Sequence, residues 1–90
     1  MAADVVMYGT RSCPYCMRAR ELLRRKGAAY REIDLTADQQ GRRELADRTG
    51  RSTVPQIFIN GKGVGGFDDI AALDRRGELD RLLAETSPPA

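Results

Sequence analysis

Apolar residues along the chain alternate between strand-like runs and helix-like spacings. Val5–Tyr8 is a continuous apolar run, which is typical of a central strand buried on both faces. From Pro14 to about Lys26 the apolar residues recur at helical spacing, and Gly27 is a natural helix stop. The sequence therefore predicts a first strand and a first helix, joined by a turn over residues 9–12.

The middle of the chain repeats this order. Ala29–Leu35 predicts a second strand. Thr36 followed by Gln39 resembles a capping box, so we expect a second helix to begin there and to end near Gly50. Because that helix is strongly charged, we expect it to be mostly exposed and to bury only a narrow apolar stripe.

Turn signals are frequent in the last third of the chain. Val54–Ile59 predicts a third strand, with Pro55 tolerated because it stands at the start of that strand. Asn60-Gly61 is a strong signal for a two-residue hairpin, which makes residues 62–65 an antiparallel partner at a sheet edge. Two helices follow, the first with Asp68 in its first turn, and residues 86–90 are expected to form a disordered tail.

Together these elements predict one α/β domain. Strands that alternate with helices imply parallel pairing through right-handed crossovers, and the hairpin adds one antiparallel strand. We therefore expect a four-stranded mixed sheet with helices on both faces. The 90 residues are enough for one such domain. They contain no apolar run of membrane-spanning length and no recognisable secretory signal, so no membrane partner is expected.

Charge adds little to this picture. The net charge is +2, with twelve basic and seven acidic side chains in residues 1–62, and three basic and six acidic in residues 63–90. The basic excess is densest on the first helix, which fits a solvated helix face or, alternatively, a mild positive field that attracts anionic substrates. Nucleic-acid binding is not expected, because the five aromatic residues are not interleaved with basic ones.

Both cysteines lie in Cys13-Pro14-Tyr15-Cys16, where the first strand gives way to the first helix. One helical turn places the two sulfurs on the same face, within reach of a disulfide. The helix N-terminus also surrounds Cys13 with unpaired N–H groups, which favours its thiolate form. The pair therefore predicts intracellular redox chemistry. The alternative, a purely structural disulfide, would close too short a loop to add much stability.

Four motifs, in this order, resemble those of a dithiol glutaredoxin of the bacterial type. They are Cys13-Pro14-Tyr15-Cys16, Thr53–Ile59, Gly65–Asp69 and Ala72–Gly77. The resemblance covers essentially the whole chain, with residues 1–85 as the glutaredoxin domain. It implies a thioredoxin-like fold, in agreement with the element order. It also implies a glutathione-dependent thiol–disulfide oxidoreductase that reduces protein disulfides and glutathione mixed disulfides.

The resemblance further implies roles for individual residues. Cys13 is expected to be the nucleophile and Cys16 the resolving cysteine. Eight positions are expected to bind glutathione, the co-substrate: Arg11, Tyr15, Thr53, Val54, Pro55, Gly66, Asp68 and Asp69. The backbone of Thr53 and Val54 would pair with the cysteinyl part, next to a cis Pro55 that faces the disulfide. The last three positions of the list would hold the γ-glutamyl end.

One position departs from the family pattern. The family usually has a lysine three residues before the nucleophile, where it supports the thiolate and meets the glycine carboxylate of glutathione. In this chain the residue there is Thr10. We expect Arg11 to substitute from the next position, with Arg42 or Arg48 of the second helix as alternatives. The chain has no histidine, so a Cys–His pair cannot activate the thiol.

Other functions use the same cysteines. A glutaredoxin-like electron donor reduced by thioredoxin reductase would share the fold but lack a γ-glutamyl site. A dimer that bridges an iron–sulfur cluster is disfavoured by Pro14. A zinc site takes four Cys or His ligands, which one chain cannot supply, so no metal is expected. We expect a cytoplasmic monomer whose partners are glutathione and disulfide-containing or glutathionylated proteins, with ribonucleotide reductase as one open candidate.

Overall fold

The computed structural model describes residues 3–85, so the expected tail at residues 86–90 lies outside the described part of the chain. The elements, in chain order, are β1 (Val5–Gly9), α1 (Pro14–Arg25), β2 (Tyr30–Asp34), α2 (Gln39–Thr49), β3 (Gln56–Ile59), β4 (Lys62–Gly65), α3 (Phe67–Arg75) and α4 (Glu78–Ala84). This order is the predicted one. Within residues 3–85 no helix is long and apolar enough to cross a membrane.

The four strands form one mixed sheet in the order β2-β1-β3-β4. β1 pairs with β2 in parallel, and with β3 in antiparallel fashion, Met7 lying opposite Ile57. The mixed sheet is confirmed, but the parallel pairing expected for β3 is wrong. The reason is that the segment after α2 returns to the end of β1 that carries the cysteines, where the Val54 carbonyl lies near the Cys13 sulfur. β3 therefore starts where β1 finishes and runs in the opposite direction.

The predicted hairpin between β3 and β4 is confirmed. Asn60 and Gly61 have φ values of 52° and 81°, the two positive values that a tight hairpin turn of this kind requires. β4 is an edge strand and pairs antiparallel with β3, with a register irregularity between Ile57 and Phe58.

Helices pack on both faces of the sheet, as expected. Alternate residues of β1 and β3 face opposite sides, which divides the buried residues into two clusters. The larger cluster joins one face of the sheet to α1, α3 and α4 and contains Met7, Leu23, Ile57, Ile70 and Leu79, all with 0% exposure. The smaller joins the other face to α2, whose one buried residue in the described structure is Leu45. The narrow apolar stripe predicted for α2 is thus confirmed.

α2 begins later than its sequence suggested. The predicted start at Thr36 is wrong, because both the hydroxyl and the N–H of Thr36 bond to the Asp34 carboxylate and close a turn there. The helix N-cap is Asp38, whose carboxylate accepts a hydrogen bond from the N–H of Gly41 at 2.8 Å. The predicted stop at Gly50 is confirmed, with a left-handed φ of 72°.

β3 begins after the proline and not at it. Its first residue is Gln56, which is 2% exposed, and its side-chain amide donates to the Thr53 carbonyl at 3.1 Å. Pro55 therefore belongs to the loop before the strand. The buried Gln56 side chain ties that loop to the start of β3 and so fixes the loop at the end of the sheet where the cysteines lie.

Candidate active site

The first helix begins at the cysteine pair. Cys13 is the N-cap of α1 with an extended backbone, and Pro14 takes the first helical position, where a missing N–H costs nothing. The Cys13 sulfur accepts a hydrogen bond from the Cys16 N–H at 3.4 Å, in the way that a serine or aspartate oxygen caps other helices. The predicted placement of Cys13 at the positive end of the helix dipole is confirmed.

The two thiols have different surroundings. Both are free; Cys13 is partly exposed, whereas Cys16 is fully buried. Partial burial acts to raise the pKa of Cys13, but hydrogen bonds from Cys16 and the Tyr15 N–H, with the charge of Arg20, lower it below its ordinary value. Burial raises the pKa of Cys16, and so does the neighbouring Cys13. The arrangement makes the accessible Cys13 the more readily ionised of the two thiols.

The loop before β3 faces the exposed sulfur. The Val54–Pro55 peptide bond is cis, as the resemblance implies. The Cys13 sulfur lies 3.7 Å from the Val54 carbonyl oxygen, to which its thiol donates a hydrogen bond. Pro55 is buried and its carbonyl oxygen lies against Gly66, where a Cβ would come within 3.1 Å of it. The absence of a side chain at Gly66 therefore lets the start of α3 approach this loop closely.

A groove of about 300 Å³ runs between that loop and α3. It is lined by seven of the eight residues that the resemblance assigns to ligand binding, together with two others: Tyr15, Thr53, Val54, Pro55, Gly66, Asp68 and Asp69, with Arg51 and Phe67. Tyr15 is half exposed, and the Arg18 guanidinium lies 5.5 Å from its ring centroid. Residues far apart in sequence thus form one continuous wall beside the exposed thiol.

The two aspartates of α3 are not equivalent. The Asp69 carboxylate accepts the Gly66 N–H at 2.9 Å and pairs with the Arg51 guanidinium at 2.7 Å. The bond from Arg51, followed by that from Gly66, holds the pKa of Asp69 below its usual value. Asp68 is exposed and makes no hydrogen bond or ion pair with the rest of residues 3–85. Asp68 is therefore available to a ligand cation, while Asp69 caps its own helix.

Arg11 is not brought into this groove. Its guanidinium pairs with Asp34 at 3.2 Å, and its side chain is 75% exposed. Arg48, one of the two alternatives, stacks over Phe58 at 4.7 Å on the α2 side of the sheet. The cation that lowers the pKa of Cys13 is Arg20 of α1, which the sequence analysis missed. Its position four residues after Cys16, on the same face of the helix, was the available signal.

A larger cleft lies elsewhere. It measures about 580 Å³ and is lined by residues of α2, β3 and β4, among them Arg48, Phe58 and Gly63. Neither cysteine lines this cleft or the smaller groove, but Val54 of the smaller groove lies beside Cys13: its carbonyl oxygen is 3.7 Å from the Cys13 sulfur. Because sulfur chemistry needs contact with Cys13, the smaller groove is the better candidate for the site.

Comparison with known proteins agrees with this geometry. The glutaredoxin family model matches residues 5–64. The chain is 48% identical to glutaredoxin 3 of Escherichia coli (strain K12) over 81 residues, which is 90% of this chain and 98% of that protein. The match to a curated relative therefore extends well beyond the four motifs.

Solved structures give the same result. The solution structure of glutaredoxin from Brucella melitensis has a TM-score of 0.83 and 51% identity, covering 92% of this chain and 90% of that one. The crystal structure of a buckwheat glutaredoxin–glutathione complex has a TM-score of 0.84 and 34% identity, covering 90% and 76%. The thioredoxin-like fold is confirmed, and the chain belongs to the glutaredoxin family of thiol–disulfide oxidoreductases.

Proposed function

We propose that this protein uses glutathione to reduce protein disulfides and glutathione mixed disulfides. The observation that carries the proposal is the groove that runs from Val54, whose carbonyl oxygen lies 3.7 Å from the Cys13 sulfur, to the N-terminus of α3 and the exposed carboxylate of Asp68. A tripeptide with a central thiol, a carboxylate and an ammonium at one end fits such a wall. The buckwheat relative, whose structure matches this one, was solved as a glutathione complex.

Three features of the groove support glutathione in particular. The backbone of Thr53 and Val54 offers polar groups to an extended peptide, as an added strand would use them. The first N–H groups of α3 have no partner within the helix and can receive the γ-glutamyl carboxylate. Because Asp69 is held by Arg51 and by the Gly66 N–H, we assign the γ-glutamyl ammonium to Asp68.

The proposed reaction with a glutathionylated protein begins at the Cys13 thiolate. It attacks the glutathione sulfur, so that a Cys13–glutathione disulfide forms, the S–S bond between glutathione and the protein breaks, and the protein leaves as a thiolate that takes a proton. A second glutathione thiolate then attacks the bound glutathione sulfur. This step releases oxidised glutathione and restores the Cys13 thiolate. The net reaction consumes one glutathione thiol, returns the protein sulfur to a thiol, and replaces the mixed disulfide by oxidised glutathione.

A protein disulfide requires the second cysteine. After attack by Cys13, the protein is bound through a mixed disulfide, and the buried Cys16 loses its proton and attacks the Cys13 sulfur. The reduced protein leaves, and two glutathiones reduce the Cys13–Cys16 disulfide. The high pKa of Cys16 keeps this thiol protonated until the mixed disulfide has consumed the Cys13 thiolate.

The test is turnover of a glutathione mixed-disulfide substrate in the presence of glutathione, glutathione reductase and NADPH. We expect NADPH consumption that persists in Cys16→Ser and stops in Cys13→Ser. Asp68→Asn should raise the KM for glutathione by about tenfold, because a charge-assisted hydrogen bond is removed. Asp47→Asn is the matched control, since Asp47 is an exposed aspartate on α2, away from the groove.

Two other outcomes would reject parts of the proposal. No turnover with glutathione, together with turnover when thioredoxin reductase is the reductant, would reject glutathione as the reductant while leaving the thiol–disulfide chemistry intact. An equal KM in Asp68→Asn and Asp47→Asn would reject the assigned ammonium site alone.

A further inference from the structure

Arg20 of α1 is fixed in place by contacts to two other segments. Its guanidinium donates to the Glu32 carboxylate of β2 in a fork, with distances from 2.6 to 3.0 Å. It also donates to the carbonyl oxygen of Thr10 at 3.1 Å. Only about a quarter of each charged side chain is exposed. A two-pronged, largely buried pair of this kind holds one geometry, unlike the flexible pairs of an open surface.

The segment that Arg20 holds lies against the buried sulfur. A Cβ at Gly9 would come within 2.9 Å of the Cys16 sulfur, so the backbone there touches the thiol directly. The backbone of the next residue, Thr10, acts to lower the pKa of Cys16. Cys16 in turn donates its N–H to the Cys13 sulfur. Arg20 therefore bonds to the turn that packs against the Cys16 sulfur, and Cys16 bonds to Cys13.

The charge of Arg20 also acts on both sulfurs, lowering the pKa of Cys13 and opposing the rise in the pKa of Cys16. The titratable groups that interact with this guanidinium are Glu32, Tyr30 and Asp34 from β2, and Cys13 and Cys16 at the start of its own helix. Glu32 offsets part of the charge, and the guanidinium itself stays protonated at any physiological pH.

We propose that Arg20 is a positioning residue for the dithiol, which holds the Thr10 turn against Cys16 and keeps a permanent cation close to both sulfurs. The proposal rests on the assignment of Cys13 as the nucleophile of the proposed function. It gives Arg20 the role that the sequence had suggested for Arg11, whose side chain points to Asp34 at the surface.

The test is the rate of Cys13 alkylation by iodoacetamide as a function of pH, in a Cys16→Ser background that leaves one thiol. Arg20→Gln should slow alkylation at pH 6 by about two- to fivefold and move the pH profile to higher pH, because the thiolate loses a nearby cation. Arg20→Lys keeps the charge and should recover most of the rate. Arg24→Gln removes the same charge from the same helix, but Arg24 pairs with Glu21 in solvent, so its profile should match that of the parent.

In the unaltered dithiol, Arg20→Gln should also make the reduction potential of the Cys13–Cys16 pair more negative, since the reduced form loses its stabilising cation. Equal profiles for Arg20→Gln and Arg24→Gln, or a larger shift for Arg11→Gln than for Arg20→Gln, would overturn the proposal. If Arg20→Gln does not fold, as judged by circular dichroism, the alkylation rate of Glu32→Gln is measured instead. This variant leaves the Arg20 charge unopposed and should speed alkylation, and an equal or slower rate would overturn the proposal.

The alkylation assay contains no glutathione. Absence of an Arg20 effect on alkylation would therefore not contradict glutathione as the reductant. Conversely, loss of glutathione turnover with an intact Arg20 effect would reject only the proposed reductant.

Discussion

Replacing Asp69 with asparagine tests the electrostatics at the start of α3. The substitution keeps the shape and the oxygen that accepts the Gly66 N–H, but it removes the negative charge that faces Arg51 at 2.7 Å. It also removes the favourable interaction of that charge with the helix N-terminus. The two side chains are 40% and 51% exposed, so the ion pair is screened and contributes at most about 0.5–1 kcal/mol. The helix-terminus interaction adds about 0.3–1 kcal/mol.

We therefore expect Asp69→Asn to lower the free energy of unfolding at pH 7 by about 1 kcal/mol, which corresponds to a fall in Tm of about 4–8 °C for a domain of this size. The loss should depend on pH in a definite direction. The pKa of Asp69 is lower in the folded protein than in the unfolded chain, so the stability that its charge contributes is complete above about pH 4 and disappears as the pH falls through the folded pKa.

Urea unfolding followed by circular dichroism, repeated from pH 7 down to the most acidic pH at which the protein folds, measures this difference. The difference in the free energy of unfolding between Asp69→Asn and the parent should become smaller as the pH falls. Asp47→Asn, an exposed aspartate on α2, should differ from the parent by less than about 0.5 kcal/mol throughout. A gap that stays constant with pH, or a control as destabilised as Asp69→Asn, would refute the electrostatic reasoning.

Three further predictions concern packing and capping. Leu23→Ala, at a residue with 0% exposure, should cost about 2–5 kcal/mol in urea unfolding, whereas Met17→Ala on the same helix, at 59% exposure, should cost less than about 1 kcal/mol. Gly9→Ala places a Cβ 2.9 Å from the Cys16 sulfur, so it should displace the buried thiol and slow formation of the Cys13–Cys16 disulfide. A quenched oxidation time course measures this rate, and an unchanged rate would contradict the close approach. Asp38→Ala removes the N-cap of α2 and should lower stability by about 0.5–2 kcal/mol, checked by thermal unfolding against Asp47→Asn.

Local sequence determined most of the elements. The apolar runs and spacings gave the eight-element order, and Gly27, Gly50 and Gly77 mark helix boundaries where the structure has left-handed φ values. The Asn60-Gly61 hairpin followed from the same kind of signal. The position of the cysteine pair at a helix N-terminus was also readable, because capping and turn preferences depend on residues only a few positions apart.

Tertiary structure decided the features that depend on distant residues. The antiparallel direction of β3 follows from where the loop before it packs, and the late start of α2 follows from the bonds that Thr36 makes to Asp34. Which aspartate of α3 stays available depends on Arg51, eighteen residues earlier in the chain. Arg20 could be placed on the helix face of Cys16 from the sequence, but its fixation by Glu32 and Thr10 could not. Local propensities specify elements through neighbouring residues, whereas charge pairing and burial are set only when the sheet brings separate segments together.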